Sequence, residues 1–507
     1  MNTLVKDERY IAQIHRESVQ PVNIDFSADP SYENVAAVVH SLLGIDYEIN
    51  SNEELNPVKP SGTLVYDWLS QILQFKSSQS KFFWKRFDCP YASKLQMANY
   101  TFEAQTKLLV FIFARLAGIL GPDVKPNTNT MLTADGSTCE GSWLSILFNL
   151  ESISFLIQTS QVTPSGEKPD LGDVNRDPRN VGFLRSTKVL QYVMSTEGGL
   201  GLVVVDDDNK LTWLRHLEKF VFSKDEDPDS DYVPPGTGFY LGLIALPSGL
   251  IALKSYYQCP AASAKHAYKS PLYVNDKDFS PLAPLVAAMH PSLVAQFQVM
   301  LNYFGGLEDR LKPLFHMLSV DIAAPEKNRL KIYFQTIIGL SFNDVKRNFT
   351  LGGRLDTPQM HESLELMEIL WNELLPQTPS TMISWLPINS FLWYYELSVN
   401  ASNPAPKGYF PAHHLCKNDL EICKVNEKFY KHPAVNITGP TNGKHGKGWV
   451  AREIQKAYIH RPLETRAGIT TWITFGHKHR TGFEMMAYFS SEQWAEEYDG
   501  HDSDIIG

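Results

Sequence analysis

The sequence has few of the residues that mark disulfide frameworks, metal centres or membrane spans. Its 507 residues include only 5 cysteines, an odd number, and none stands in a CxxC or Cys/His spacing typical of a zinc site. No apolar run approaches the ~20 residues that a membrane helix needs, and residues 1–17 lack the apolar segment of a secretory signal. We therefore expect a cytoplasmic protein with free thiols, no bound metal and no membrane contact.

An excess of basic residues is also missing. The chain has 46 lysines and arginines against 56 acidic residues, a net charge of −10, which argues against broad nucleic-acid binding. Hydrophobic residues make up 43% of the chain and aromatic residues 12%, which is enough for a large buried core. The composition excludes a mostly disordered chain, and any site for an anion must be local and enclosed.

The common motifs for phosphate and metal binding are incomplete. Gly352-Gly353 lies in neither a Walker nor a GxGxxG pattern. Asp206-Asp207-Asp208 invites comparison with the magnesium-binding motifs of isoprenoid synthases, but a predicted strand precedes it and Asn209-Lys210 follows, as in a turn. His413-His414 have no third ligand at a useful spacing. We interpret the three segments as loops.

The order of patterns along the chain predicts a mixed α/β protein in which strand pairs alternate with helices. No long linker divides the body, so we expect a single domain over 61–507, preceded by an N-terminal extension over 1–60. Helices are expected within 63–121, over 282–304, after Thr357-Pro358 and near 447–458, and strands near 328–335, 407–411 and 470–489.

Basic and tyrosine side chains share one face of several predicted strands. Because side chains alternate along a strand, Arg329, Lys331 and Tyr333 lie on one face and the apolar residues between them on the other. Matching pairs occur on three further strands: Lys254 with Tyr256, Lys407 with Tyr409, and Lys478 with Tyr488.

A single strand of this kind is more often an ordinary amphipathic strand whose basic face is wet. Four concordant strands favour a closed barrel, with the apolar faces against outer helices and the basic faces turned to the interior. Clustered cations hold phosphate oxygens strongly, and tyrosine faces stabilise a nearby carbocation. Such an interior is suited to a diphosphate beside a flat or cationic group.

Several segments carry a more specific resemblance, to the fungal dimethylallyltryptophan synthases, which are aromatic prenyltransferases of secondary metabolism. The resemblance covers roughly residues 63–490, with the Arg329 and Leu351 segments the most distinctive. The segments are Ala98-Asn99-Tyr100, Asp135–Ser142, Ala252–Tyr256, Arg329–Tyr333, Phe349–Arg354, Gly448-Trp449 and Ile473–Phe475.

The resemblance implies the ABBA fold, about ten antiparallel strands closed into a central barrel surrounded by helices. It also implies transfer of a prenyl group, dimethylallyl in that family, from its diphosphate to an aromatic acceptor (indole, tryptophan-derived or phenolic), with no cofactor and no metal. Glu140 would anchor and activate the acceptor. The diphosphate would be held by Lys254, Arg329, Lys331, Lys407 and Lys478, and the cation would be shielded by Tyr256, Tyr333, Tyr409 and Tyr488. A monomer or a homodimer is expected, with no nucleic-acid partner.

The chain departs from the family pattern at three positions. Ser154 stands where an arginine is usual, Lys407 fills a glutamine position, and Leu241 stands where some tryptophan-specific members carry a basic proton acceptor. These departures leave two alternatives open: a related enzyme that cyclises or rearranges an isoprenoid, and a non-catalytic binder of hydrophobic anions.

Overall fold

The structure is a computed structural model, and it describes part of the chain. The described residues are 31–44, 63–75, 81, 84–116, 143–148, 153–158, 193–195, 199–204, 211–221, 239–258, 277, 279–335, 340–375, 391–435, 447–478 and 482–492. Glu140 and the loop expected at Asp206–Asp208 lie outside them.

The described strands form one closed antiparallel barrel of ten members in which each strand pairs with its neighbours in the chain and the first pairs with the last. They are β1 (Trp143–Phe148), β2 (Ile153–Gln158), β3 (Phe239–Ala245), β4 (Ile251–Gln258), β5 (Leu314–Asp321), β6 (Arg329–Gln335), β7 (Leu392–Ser398), β8 (Ala405–Phe410), β9 (Thr470–Lys478) and β10 (Gly482–Ser490). The expected barrel is confirmed.

Helices surround this barrel. In the described ranges they are α1 (Tyr32–Leu43), α2 (Leu64–Ile72), α3 (Cys89–Met97), α4 (Phe102–Phe111), α5 (Thr212–Val221), α6 (Ala283–Met289), α7 (Ser292–Gly305), α8 (Phe342–Phe349), α9 (Pro358–Leu374), α10 (Ala412–Leu415), α11 (Asp419–Lys431) and α12 (Trp449–Ala457). None of these helices is both long and apolar enough to cross a membrane.

Side-chain caps define where several helices begin. The Thr101 hydroxyl accepts a hydrogen bond from the Ala104 amide at the start of α4, and Thr357 caps α9 in the same way. Ser341 and Asp344 form a reciprocal capping box at α8. The start of α9 after Thr357 is the one that the sequence predicts.

Two separate hydrophobic clusters follow from the alternation on each strand. On β6, the buried Leu330, Ile332 and Phe334 belong to the large core between barrel and helices. Tyr333 belongs instead to a second cluster inside the barrel, and Lys331 on the same face is 4% exposed. The predicted inward and outward sides of this strand are confirmed.

The segment expected to be an N-terminal extension contains part of this core. Helix α1 buries Val35, Val39 and Leu43 in the large core, and it ends at Gly44, whose φ of 64° suits a glycine cap. The division at residue 60 stays a prediction, but α1 packs against the same body as the later helices.

Candidate functional site

The register of the barrel brings the predicted basic residues to one interior, here called the lumen. Directly paired residues on neighbouring strands point to the same side of a sheet. Lys254 pairs with Asp321, Lys331 pairs with Glu396, and Lys407 lies two strands further on. Lys254, Lys331 and Lys407 each stand two positions before a tyrosine on the same strand. The basic side chains and the tyrosines therefore occupy adjacent levels of the lumen.

The aromatic level forms a cluster of its own, which we call the lumen aromatic cluster. Its described members are Tyr256, Met317, Tyr333, Leu392, Tyr394, Tyr409, Trp472 and Tyr488. The rings of Tyr333 and Tyr394 lie 4.9 Å apart between centroids, and those of Tyr409 and Tyr488 lie 5.5 Å apart. The Tyr488 hydroxyl donates to the Tyr409 hydroxyl at 3.3 Å, which links two strands that do not pair.

Burial keeps these phenols neutral. Desolvation raises the pKa of Tyr333, Tyr394, Tyr409 and Tyr488 well above the usual value, because a phenolate would have to be formed away from water. A neutral ring offers its negative π face, which stabilises a positive charge within about 6 Å. The cluster can therefore enclose a hydrophobic group and stabilise a carbocation formed on it.

The adjacent level is charged, with both signs present, and we call it the charged belt. Its described members are Lys254, Asp321, Arg329, Lys331, Glu396, Lys407 and Glu484. Its positive side chains lie close enough together to bind a polyanion. Three carboxylates, those of Asp321, Glu396 and Glu484, lie among them.

Asp321 joins two of the cations. Its Oδ2 accepts from Arg329 Nε at 2.7 Å and lies 2.6 Å from Nη2, while its Oδ1 accepts from Lys331 Nζ at 3.2 Å. Arg329 Nη1 also donates to Glu396 Oε2 at 3.3 Å. Burial raises the pKa of Asp321, but Lys331, Arg329 and Lys254 outweigh it and lower the pKa below the usual range. The carboxylate thus stays ionised and orients its partners.

Lys254 loses its proton more readily than an ordinary lysine. Desolvation, followed by the like charge of Lys331, lowers its pKa to about 7, and Asp321 opposes the shift. An anion that entered the lumen would favour the charged form.

Lys407 pairs with a different carboxylate. Its Nζ lies 3.6 Å from Glu484 Oε2 and donates to the sulfur of Met486 at 2.9 Å. The side chain of Lys407 is only 6% exposed and that of Glu484 is 17% exposed. This is a buried pair, in which the loss of either partner would leave the other charge poorly solvated.

Most of the predicted site residues come together. Those found in the lumen are Lys254, Arg329, Lys331, Lys407, Tyr256, Tyr333, Tyr409 and Tyr488. Lys478 is the last residue of β9 and pairs with Gly482, two positions beyond Gly476 on the lumen-facing row. Glu140 lies outside the described residues, so its role stays a prediction.

Sequence reasoning missed the acidic members of the belt and part of the aromatic cluster. Glu396 and Tyr394 share β7 with buried apolar residues on both faces, so no period-two signal marks their side. Asp321 could have been found, because it ends β5 on the side of the strand that faces the lumen. Glu484 could also have been found, because it lies four residues before the predicted Tyr488 on β10 and so shares its side of the strand.

The register also gives the rows of two positions at which the chain departs from the family pattern. Leu241 pairs with Ser255, whereas Gly242 pairs with Lys254, so position 242 and not position 241 lies on the lumen-facing row of β3. The match of Leu241 to the family's proton-acceptor position stays a prediction. Position 154 pairs with position 244, which is on that row, and its match to the family's arginine position stays a prediction.

Metal ligands are not assembled here. Among the described residues, no three side chains of His, Cys, Asp or Glu come close enough together to hold a metal ion. His413 bonds the carbonyl oxygen of Thr471 through Nδ1 at 2.6 Å, a structural contact between α10 and β9.

A family model described as tryptophan dimethylallyltransferase matches residues 193–434, the stretch that contains Lys254, Arg329, Lys331 and Lys407. Over this stretch the chain is similar to the tryptophan dimethylallyltransferases that the model describes.

The curated relatives that this chain resembles have several named activities. A 7-dimethylallyltryptophan synthase of Aspergillus fumigatus is 25% identical over 84% of this chain and 88% of its own length. Xanthone prenyltransferase B of Emericella nidulans is 22% identical over 85% of this chain and 92% of its own. The relatives' names thus include both indole and xanthone acceptors.

Solved structures support the fold described above. The structure of NotF in complex with brevianamide F and DMSPP superposes with a TM-score of 0.63 at 19% identity, covering 83% of this chain and 98% of that one. AnaPT from Neosartorya fischeri superposes with a TM-score of 0.60 at 18% identity, covering 84% and 97%. The barrel described here is the ABBA fold of those prenyltransferases.

Proposed function

We propose that this protein transfers a prenyl group from its diphosphate to an aromatic acceptor without a metal ion, and that the group is dimethylallyl. The observation that carries the proposal is the position of the charged belt directly beside the lumen aromatic cluster within one closed barrel. The names of the relatives, which specify dimethylallyl transfer and prenyl transfer to aromatic compounds, support the same chemistry.

The belt would act on the leaving group. Lys254, Lys331, Lys407 and the nearby Lys478 would donate hydrogen bonds to the diphosphate oxygens. When the bond between the allylic carbon and oxygen breaks, its electron pair goes to the diphosphate, and fixed cations stabilise the charge that develops there. Arg329, whose guanidinium is held by Asp321 and Glu396, would contribute mainly as a fixed positive charge.

The aromatic cluster would protect the allylic cation. Tyr256, Tyr333, Tyr409 and Tyr488 are buried, and their neutral rings present π faces that favour a cation over its neutral precursor. A closed lumen also excludes the water that would otherwise capture the cation and yield an alcohol.

The acceptor would complete the reaction. A carbon or heteroatom of an electron-rich arene forms a bond to the cation, and loss of a proton from the attacked position restores the neutral aromatic product. We propose that Glu140 accepts a hydrogen bond from the N–H or O–H of the acceptor, which raises its nucleophilicity and stabilises the cationic adduct.

One assay separates this function from the alternatives. The purified protein is incubated with dimethylallyl diphosphate and a panel of indoles, tryptophan derivatives and phenols, in the presence and absence of EDTA. We expect a coupled product whose rate EDTA does not change, since lysine and arginine supply the positive charge. A rearranged product from the diphosphate alone would indicate a cyclase, and binding without turnover would indicate a carrier of hydrophobic anions.

A further inference from the structure

Strand β9 separates Lys407 from its acidic partner, and a glycine makes their contact possible. Lys407 on β8 pairs with Gly476 on β9, and Gly476 pairs in turn with Glu484 on β10. The lysine must therefore extend over the intervening strand to bring Nζ within 3.6 Å of the carboxylate. Neighbouring strands lie about 4.8 Å apart, so two strand spacings are within the reach of a lysine side chain.

Gly476 provides the space for that path. A Cβ atom at this position would lie 3.2 Å from Lys407 Cγ and 3.3 Å from its Cβ, closer than ordinary van der Waals contact. The side chain of Lys407 thus lies flat over Gly476. This conformation directs its charge along the sheet to Glu484.

We propose that Glu484 is a positioning residue for Lys407, and that the two act as one counter-charged unit at the diphosphate end of the lumen. The inference rests on the proposed function, because it assigns the pair to the anion site of that reaction. Burial explains why the unit must be treated as a whole. Without Lys407, the carboxylate of Glu484 would repel an incoming diphosphate, and without Glu484, the ammonium of Lys407 would lose the carboxylate that directs it.

The pairing predicts how diphosphate binding responds when one or both of the two charges are removed. Replacing both residues with glutamine keeps the summed charge of the pair, zero, and keeps hydrogen-bonding groups of similar length. Replacing Lys407 alone changes the sum to −1 beside the anion. Replacing Glu484 alone changes the sum to +1. The two single variants should therefore shift diphosphate affinity in opposite directions, and the double variant should lie between them.

The experiment is a double-mutant cycle on Lys407→Gln, Glu484→Gln and the double variant. The readouts are the affinity for inorganic diphosphate by calorimetry, the kcat and KM for prenyl transfer, and the thermal midpoint. We expect Lys407→Gln to weaken diphosphate binding by about tenfold or more, and the double variant to recover most of that loss. Glu484→Gln should bind diphosphate at least as tightly as the parent. Its kcat for prenyl transfer should be lower, because Glu484 no longer orients Lys407.

A surface pair provides the matched control. Lys346 and Glu368 lie 3.0 Å apart on α8 and α9, with 36% and 31% exposed side chains, and neither is in the lumen. Glu368→Gln should change none of the readouts.

Each outcome of the cycle decides a point. A double variant that binds diphosphate as poorly as Lys407→Gln would overturn the inference and leave the proposed function intact. A parent protein that neither binds diphosphate nor transfers a prenyl group would overturn the proposed function and the pair's role together. If Lys407→Gln does not fold, a folded double variant supports the pairing, and an equally unfolded one argues against it.

Discussion

At the scale of the residue, Lys254 shows how burial sets the charge of a binding group. Its pKa is lowered to about 7, first by desolvation and then by Lys331. Between this value and the usual lysine range, the unfolded chain binds more protons at this site than the folded chain. The free energy of unfolding contributed by Lys254 therefore rises with pH across that window.

Binding of an anion has the opposite dependence on pH. Only the protonated form of Lys254 attracts diphosphate, so the affinity should fall by up to about tenfold per pH unit above about pH 7. We expect this fall in the parent protein and not in Lys254→Met, when inorganic diphosphate is titrated by calorimetry from about pH 6 to about pH 9. Because the ligand ionises equally in both titrations, the difference between the two proteins isolates the lysine. Parallel pH profiles would contradict the assignment.

Lys331 gives a second prediction at this scale. Its side chain is 5% exposed and paired with Asp321, so it is fixed before a substrate enters. Removal of one such donor from a developing anion costs roughly 2–4 kcal/mol, and Lys331→Met should lower kcat/KM for prenyl transfer by about two to three orders of magnitude. Lys346→Met, on the surface of α8, is the control. Near-parental turnover of a folded Lys331→Met protein would show that this residue does not act on the leaving group.

At the scale of the element, β8 is held between two crowded surfaces. Lys407 and Tyr409 face the lumen, while Gly408 between them faces the outer core. A Cβ at Gly408 would lie 2.7 Å from the ring tips of both Phe391 and Phe475. Glycine thus lets these rings reach the backbone and fixes the position of the strand.

Gly408→Ala tests this packing. Rings with little free space would have to move, and we expect a loss of about 1–3 kcal/mol in the free energy of unfolding, measured by denaturant titration. The shift of β8 should also weaken diphosphate binding through its neighbour Lys407. Gly305→Ala is the matched control, since a Cβ there meets no atom within 4 Å. An unchanged stability would show that the rings have room to adjust.

The elements also show which parts of the molecule the sequence can predict. β6 was predicted with the correct faces, because Lys331 and Tyr333 alternate with residues of the outer core. β7 could not be oriented in this way, since Trp393 and Tyr394 are both buried on opposite sides of the strand. Closure of the barrel was inferred from family resemblance and from concordance among strands. The contacts of the charged belt depend on three-dimensional register between residues far apart in the chain, which a single sequence does not contain.

At the scale of the whole molecule, a buried ionic cluster joins elements from the last third of the chain. Arg461, fully buried, donates to Asp419 Oδ2 and to Glu492 Oε2, each at 2.7 Å. Asp419 begins α11 and accepts from the amides of Ile469 and Thr470 at the start of β9. Glu492 follows β10, the strand that closes the barrel on β1. One guanidinium therefore connects a helix, the entry to β9 and the end of the closing strand.

His460 also belongs to this cluster, and its contact with Glu492 affects how the stability of the fold depends on pH. Its Nε2 lies 2.9 Å from Glu492 Oε2. Desolvation lowers the pKa of His460, although Glu492 opposes the shift, while hydrogen bonds from His460 and Arg461 lower the pKa of Glu492 against the effect of burial. The folded state thus favours an ionised Glu492, and its stabilising contribution is lost as the pH falls through the lowered pKa.

Arg461→Met should destabilise the protein as a whole. The variant keeps much of the side-chain volume but leaves the carboxylates of Asp419 and Glu492 buried without their shared cation, and breaking such a network costs about 3–5 kcal/mol. We expect a lower thermal midpoint and a single unfolding transition, measured by calorimetry, because the cluster connects helix and barrel. The control is Arg310→Met, whose 71% exposed side chain pairs only with the exposed Glu308 among the contacts described for it. A Glu492→Gln change added to Arg461→Met removes one of the two buried negative charges that lose this cation, and it should restore part of the loss. If the double variant is no more stable than Arg461→Met, the destabilisation comes from lost packing and the electrostatic account of the cluster fails.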